Sequence, residues 1–522
     1  SRAYWTDSTR FYTPRLCCSI TRYWSLLNDS ILGHTNMTLK KYEQLARYLT
    51  EFIGDYSLKK GDRFLSIREI MVRYAVGKNT AYKALQHLED AGMLTAEPKS
   101  GYVVNQKPHL ATEHIGAYRF CEQRALSDRA TFIRRWAEHS KSAKYRMDLA
   151  TGAANLYPAA ELQTISNSIT RSKPYILTEY VMGSGLLELR QKIALRHNSF
   201  GCLFTPDDIL ITHGATQAIT LALQSVTQSG DWVMVESPTY FGFLQILQSL
   251  KLNVVELSID VKKGLEPNHL RSVIEQAAKQ KKRISACLLQ ANVQNPTGCS
   301  IALNLRAEIL NLCAERHIAV IEDDTFGDLY QTSAQQPQRP APLKALDAHN
   351  NVILCSSLSK LIAPGLRIGF IQGGAWHEQI RTLHHATSIG CTELPQHLMA
   401  RMIPRKYEQH LKALRAIYAV NVAQVRTWLT QYFPAGTHSM TPRGGYLLWV
   451  TLPDSVTADQ LFDLALQERS ISFAPGSLFS IGEHHQNAFR LNCATLNHKF
   501  TQRDIKALGQ LAQRIHQESL AT

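Results

Sequence analysis

The run Ser356-Ser357-Leu358-Ser359-Lys360-Leu361-Ile362-Ala363-Pro364-Gly365-Leu366-Arg367 sets one amine among small hydroxyl side chains, with a guanidinium seven positions further on. An ε-amine condenses with aldehydes, and hydroxyls with an arginine grip phosphate. Those residue types at that spacing suit a phosphorylated aldehyde cofactor held as a Schiff base on Lys360, namely pyridoxal 5'-phosphate (PLP). Three further fragments fit the same cofactor. Gly214-Ala215-Thr216 opens a helix, so its backbone N–H groups and the Thr216 hydroxyl suit a phosphate dianion, although any capped helix has the same letters. Asp323 can pair with the pyridinium nitrogen, and it equally suits a surface acid beside Glu322 and Asp324. Asn295, in Asn295-Pro296-Thr297-Gly298, can donate to the phenolic oxygen of the ring, and the same run suits a plain turn.

The elements that must position these groups are legible as apolar runs. Ile209-Leu210-Ile211-Thr212, Trp232-Val233-Met234-Val235, Ala286-Cys287-Leu288-Leu289, Ile318-Ala319-Val320-Ile321 and Val352-Ile353-Leu354-Cys355 alternate with helical stretches. Near-continuous apolar strands between helices predict an α/β domain whose mostly parallel sheet is covered on both faces. Ligands of such sheets collect at the carboxyl ends of strands, which is where the fragments above fall.

A second pattern lies upstream. Over residues 40–53 apolar side chains recur at Tyr42, Leu45, Ala46, Leu49, Phe52 and Ile53, the spacing of an amphipathic helix. Ser66, with Glu69 three residues on, is a capping box that starts a second helix, which Ala75-Val76-Gly77 breaks. A third runs over residues 78–91, with Gly92 at its C-terminal cap. Residues 93–96 and 101–104 then read as a hairpin. Helix, helix-turn-helix and hairpin together make a winged helix-turn-helix, a shape that reads DNA.

At 522 residues the chain is too long for one core. Residues 1–36 show no period and precede Met37, so they read as a poorly ordered extension; 37–106 form the winged helix-turn-helix, 107–145 a basic linker with one short helix, and 146–522 the large domain. The net charge of +14 divides as +2, +3, +4 and +5 over those four segments. The excess is densest before residue 146, which suits a polyanionic partner and equally suits solvated basic surface. Ten cysteines without a Cys-x-x-Cys predict buried thiols of a reducing compartment and no metal site. No apolar run is long enough to span a bilayer, so the expectation is a cytoplasmic protein without membrane contact.

The order and spacing of the fragments over residues 147–500 resemble the fold type I aminotransferases. That resemblance implies a smaller C-terminal α+β subdomain beside the main sheet. It also implies that Lys360 holds PLP, that Ser357 and Arg367 bind phosphate, and that Asp323 and Asn295 take the ring nitrogen and phenolic oxygen. Tyr240 would stack on the ring, Tyr180 would reach the partner subunit's phosphate in a homodimer, and Arg490 would grip the α-carboxylate of an amino acid. One position departs from the family: Phe326 stands where a tyrosine usually follows the aspartate by three residues. The expected result is a domain that senses more than it turns over.

Residues 40–104 resemble the GntR-type winged helix-turn-helix, with Gly61-Asp62-Arg63-Phe64-Leu65-Ser66-Ile67-Arg68-Glu69-Ile70 in place of the usual Gly-Asp-x-Leu-Pro-Ser-x-Arg-Glu-Leu. By position, Ser66, Arg68, Lys78, Asn79 and Thr80 would meet phosphates or base edges, and Lys99 the backbone or minor groove of double-stranded DNA. Reader, linker and aminotransferase-like body is the arrangement of the MocR-type regulators. The implied function is a DNA-binding transcriptional regulator whose body binds PLP and senses PLP or an amino acid. The alternative is a working aminotransferase with an accessory DNA-binding domain.

Overall fold

In a computed structural model the chain divides into two compact units, residues 1–110 and 111–522. The structure describes residues 42, 45, 46, 49, 61–74, 76–90, 93–97, 101–105, 118–260, 263–332, 336, 338–403, 407–482 and 484–521. The expected N-terminal extension, Gly92 and Lys99 lie outside the described residues.

In the first unit, Ser66 and Glu69 close the capping box: the Ser66 N–H and hydroxyl both donate to Glu69 Oε2, at 2.8 and 2.7 Å, and the Glu69 N–H returns to Ser66 Oγ. Helix α1 (Ile67–Tyr74) starts there and packs on α2 (Lys78–Asp90). Strands β1 (Leu94–Glu97) and β2 (Gly101–Val104) pair antiparallel, Leu94 opposite Val104. Leu45, Leu49, Phe64, Ile70, Leu85 and Leu88 belong to the core, with Tyr42 packed against it, while Phe52 and Ile53 of the first predicted stripe lie outside the described residues.

The second unit is built on an eight-stranded mixed sheet. Its strands are β3 (Tyr118–Cys121), β4 (Ile209–Thr212), β5 (Trp232–Ser237), β6 (Asn253–Ser258), β7 (Ile284–Leu289), β8 (Ala319–Asp323), β9 (Val352–Ser357) and β10 (Gly369–Gln372). Their spatial order is β3-β6-β5-β7-β8-β9-β10-β4. The strands from β6 to β9 run parallel, while β3 and β10 pair antiparallel to their neighbours. Strands β4, β5, β8 and β9 are buried at every position, which is why they read as unbroken apolar runs. A second, four-stranded antiparallel sheet carries β11 (Leu447–Thr451) and β12 (Ala488–Asn492) and packs with the C-terminal helices, giving the expected α+β part.

Residues 118–145 correct the reading of that stretch as linker. β3 is an edge strand of the main sheet, and α3 (Gln123–Lys141) is a 19-residue helix whose Ile133 and Trp136 are buried in the core around the second sheet. Trp136 Nε1 donates to the Phe473 carbonyl at 3.1 Å. Among the described side chains the helix stripe is Phe132, Ile133, Trp136 and Ala137, and the exposed Arg134 and Arg135 within it diluted the period.

The eight described cysteines are free and buried. Among the described residues no helix is long and apolar enough to cross a membrane, and no group of side chains is arranged to hold a metal ion.

Candidate cofactor site and DNA-reading surface

A cavity of about 420 Å³ opens at the carboxyl ends of β4, β5, β7, β8 and β9, and eight of the expected residues line it: Lys360, Asp323, Asn295, Tyr240, Ala215, Thr216, Ser357 and Arg367. Seven of them follow a strand, at its last residue or in the loop beyond it, whereas Arg367, at φ 51°, stands two residues before β10. Gly214 ends the β4 turn at φ 84° and caps the helix Ala215–Val226; a side chain there would meet the Arg367 guanidinium at 2.7 Å. Glycine is therefore required both by the backbone and by the approach of Arg367.

Lys360 Nζ donates to the Ala150 carbonyl at 2.6 Å. Burial first, then the charges of Arg490 and Arg367, lower its pKa to about 8, against a smaller pull from Asp323. Asp323 behaves inversely: burial pushes its carboxyl up to about 6, although three donors hold the anion. Those donors are the Thr325 N–H and hydroxyl on Oδ1, at 3.0 and 2.5 Å, and Gln290 Nε2 on Oδ2 at 2.8 Å.

Asn295 Oδ1 accepts from Arg490 Nη1 at 2.9 Å, so its amide nitrogen is the end left to the cavity. Arg490, on β12, is fully buried; its second terminal nitrogen donates to the Asp148 carbonyl at 2.5 Å, while Nε has no partner. The guanidinium lies 5.0 Å from the Phe479 ring centre and 5.9 Å from that of Phe241. Burial brings its pKa down to about 10. Ser357 Oγ donates to the Ile368 carbonyl and accepts the Ser359 N–H. Tyr240 caps the helix Phe241–Ser249, with its ring against Gly242. Tyr180 stands outside the cavity and is 90% exposed.

Sequence reasoning missed Gln290, Thr325, Ala150 and Ser359, all of which line the cavity. Ser359 had a signal in its place beside Lys360; Gln290 and Ala150 had none, because their use depends on the loops folding together. Phe326 also lines the cavity, with its ring edge-on to Tyr446, whose hydroxyl donates to the Ala150 carbonyl that Lys360 also uses.

On the first unit, Arg68, Lys78 and Asn79 are exposed and Thr80 is half-buried. Ser66 commits its hydroxyl proton to Glu69.

Residues 41–104 match the family of bacterial regulatory proteins, gntR family, and residues 148–508 match aminotransferase class I and II. The HTH-type transcriptional regulator YdcR of Escherichia coli K12 is 32% identical over 481 residues, 91% of this chain and 99% of YdcR. The chain belongs to the MocR-type subfamily of GntR transcriptional regulators. A second E. coli K12 member, the HTH-type transcriptional regulator YjiR, is 30% identical over 494 residues, covering 91% of this chain and 99% of YjiR.

The body of this MocR-type chain also superposes on solved aminotransferases. The α-aminoadipate aminotransferase LysN of Thermus thermophilus, complexed with N-(5'-phosphopyridoxyl)-L-leucine, matches with TM-score 0.64 at 25% identity over 74% of this chain and 95% of LysN. Pyrococcus horikoshii kynurenine aminotransferase matches with TM-score 0.67 at 24% identity over 76% of this chain and 96% of that one.

The cofactor of the family is PLP, and the cavity fits it. An amine with a lowered pKa, a buried carboxylate and a buried Ser359 hydroxyl with no partner meet in one space. A ligand bearing an aldehyde, a basic ring nitrogen and a phosphate can use all three.

Proposed function

We propose that the aminotransferase-like body of this PLP-dependent DNA-binding regulator is its sensor, with Lys360 as the covalent attachment point and PLP or an amino acid as the effector. The observation that carries the reading is the convergence of Lys360, Asp323, Asn295, Thr216 and Arg367 on one cavity. When bound, PLP supplies an electron-withdrawing ring conjugated to a reactive aldehyde carbon. Lys360, its pKa lowered to about 8, keeps a useful share of free amine near neutral pH. Asp323, its pKa raised only to about 6, is mostly anionic at that pH and holds a proton on the ring nitrogen. Asn295 donates to the phenolic oxygen, Tyr240 covers the ring face, and Ser357, Ala215, Thr216 and Arg367 take the phosphate. Arg490 takes the α-carboxylate of an amino acid by exchanging its Asn295 and Asp148 partners.

Phe326 offers no hydroxyl to the phenolic oxygen, which favours sensing over turnover. Tyr180, exposed in one chain, would complete the phosphate site of a second copy in a homodimer. The reader would act on double-stranded DNA in the cytoplasm through Arg68, Lys78, Asn79, Thr80, Ser66 and Lys99. An effector moves the reader only by binding two states of the body with different affinity.

The test is binding of the full chain to its own upstream DNA at fixed salt, with and without PLP and across a panel of amino acids. A ligand-dependent change in affinity is expected; no change with any of them defeats the sensor reading. Amino acids that convert the bound cofactor at an enzyme's rate would favour the aminotransferase alternative.

A further inference from the structure

We propose that Gln290 is a positioning residue of the cofactor site, tying the carboxylate that serves the ring nitrogen to the loop that serves the phenolic oxygen. The inference rests on the PLP reading above and deepens it. Gln290 follows β7 directly, is 2% exposed and lines the cavity. Its side-chain Oε1 accepts the Asn295 N–H at 3.0 Å, and its Nε2 donates to Asp323 Oδ2 at 2.8 Å.

The two ends of that amide are not interchangeable. A backbone N–H only donates, so the end facing Asn295 must be oxygen, and the nitrogen is then bound to face Asp323. The backbone of Gln290 is held as well, since its N–H donates to Glu236 Oε2 at 2.9 Å. Burial pushes the Glu236 carboxyl up to about 8, so at neutral pH it is largely uncharged and sets little negative charge behind Asp323.

The consequence for Asp323 follows from its hydrogen bonds. Oδ1 already has two donors, both from Thr325, while Oδ2 has Gln290 alone. An ionised carboxylate accepts at about four lone-pair positions. Oδ2 is thus the oxygen with capacity to spare, and Gln290, acting with Thr325 on Oδ1, fixes how the carboxylate is turned. The same amide sets the backbone of Asn295, whose Oδ1 is held by Arg490. One side chain thereby fixes the spacing between the groups meant for opposite polar atoms of the ring.

The test compares two probes, PLP and 1-deazapyridoxal 5'-phosphate, in which CH replaces the ring nitrogen. Dissociation constants are measured on the full chain, wild type against Gln290→Met, which keeps the length, and Gln290→Leu, with melting curves as the check on folding. A general loosening of the pocket weakens both probes alike, and that result too counts against the assignment. A positioning role at Asp323 instead lowers the preference for PLP over the deaza analogue, by about fivefold for one hydrogen bond. A wild-type preference that survives unchanged in the folded variants overturns the assignment. A wild type with no preference at all removes the role of Asp323 itself and takes the inference with it, so the two failures are told apart.

Discussion

Lys360 and Asp323 are both drawn toward neutrality by burial in one cavity. Trapping PLP on Lys360 with borohydride should rise with pH to half its maximum near pH 8, the folded pKa of the amine; a midpoint near that of an ordinary lysine would mean that burial has no such effect. Glu236 gives a stability prediction of definite sign. Its folded pKa, about 8, lies well above the ordinary glutamate range, so the native state binds more protons in that window and stability falls as pH rises through it. Glu236→Gln should flatten this fall, read from melting temperatures at pH 5 and pH 8. The Lys360 end of the site was legible because a hydroxyl-flanked lysine with a following arginine is written in one contiguous run. Gln290 was not: a glutamine after an apolar strand has no signature until Asn295 and Asp323 fold against it.

Helix α3 shows where legibility ended among the elements. The fully buried strands announced themselves as apolar blocks, whereas β3 buries only Cys121 and the described stripe of α3 is interrupted by Arg134 and Arg135. Yet Trp136 is buried against Phe241, with ring centres 5.5 Å apart, and holds the Phe473 carbonyl. Phe241 in turn follows Tyr240 and packs on Phe479, beside Arg490. Trp136→Ala should therefore cost about 3–5 kcal/mol of stability, measured as a drop in the denaturant midpoint of the full chain. A true tether residue would lose less than about 0.5 kcal/mol. Helix α3 is thus part of the body that holds the cofactor.

At the scale of the whole molecule, the joint presence of a GntR-type reader and an aminotransferase body is more informative than either part, because only the combination calls for a ligand that changes DNA affinity. The two tasks rest on different physics. DNA binding gains from the release of counterions around phosphates and weakens steeply with salt, while the proposed attachment at Lys360 is a covalent bond that salt does not screen. They can be separated by substitution. Lys78→Ala, at the exposed start of α2, should weaken DNA binding and reduce the slope of log affinity against log salt by about 0.9, one phosphate contact, with PLP uptake unchanged. Lys360→Ala should do the reverse: the salt slope stays, and addition of PLP no longer alters the affinity. Measured by fluorescence anisotropy across a salt series, a wild-type slope in the Lys78 variant would remove that residue from the interface. A PLP response kept by the Lys360 variant would show that the effector acts without the covalent bond.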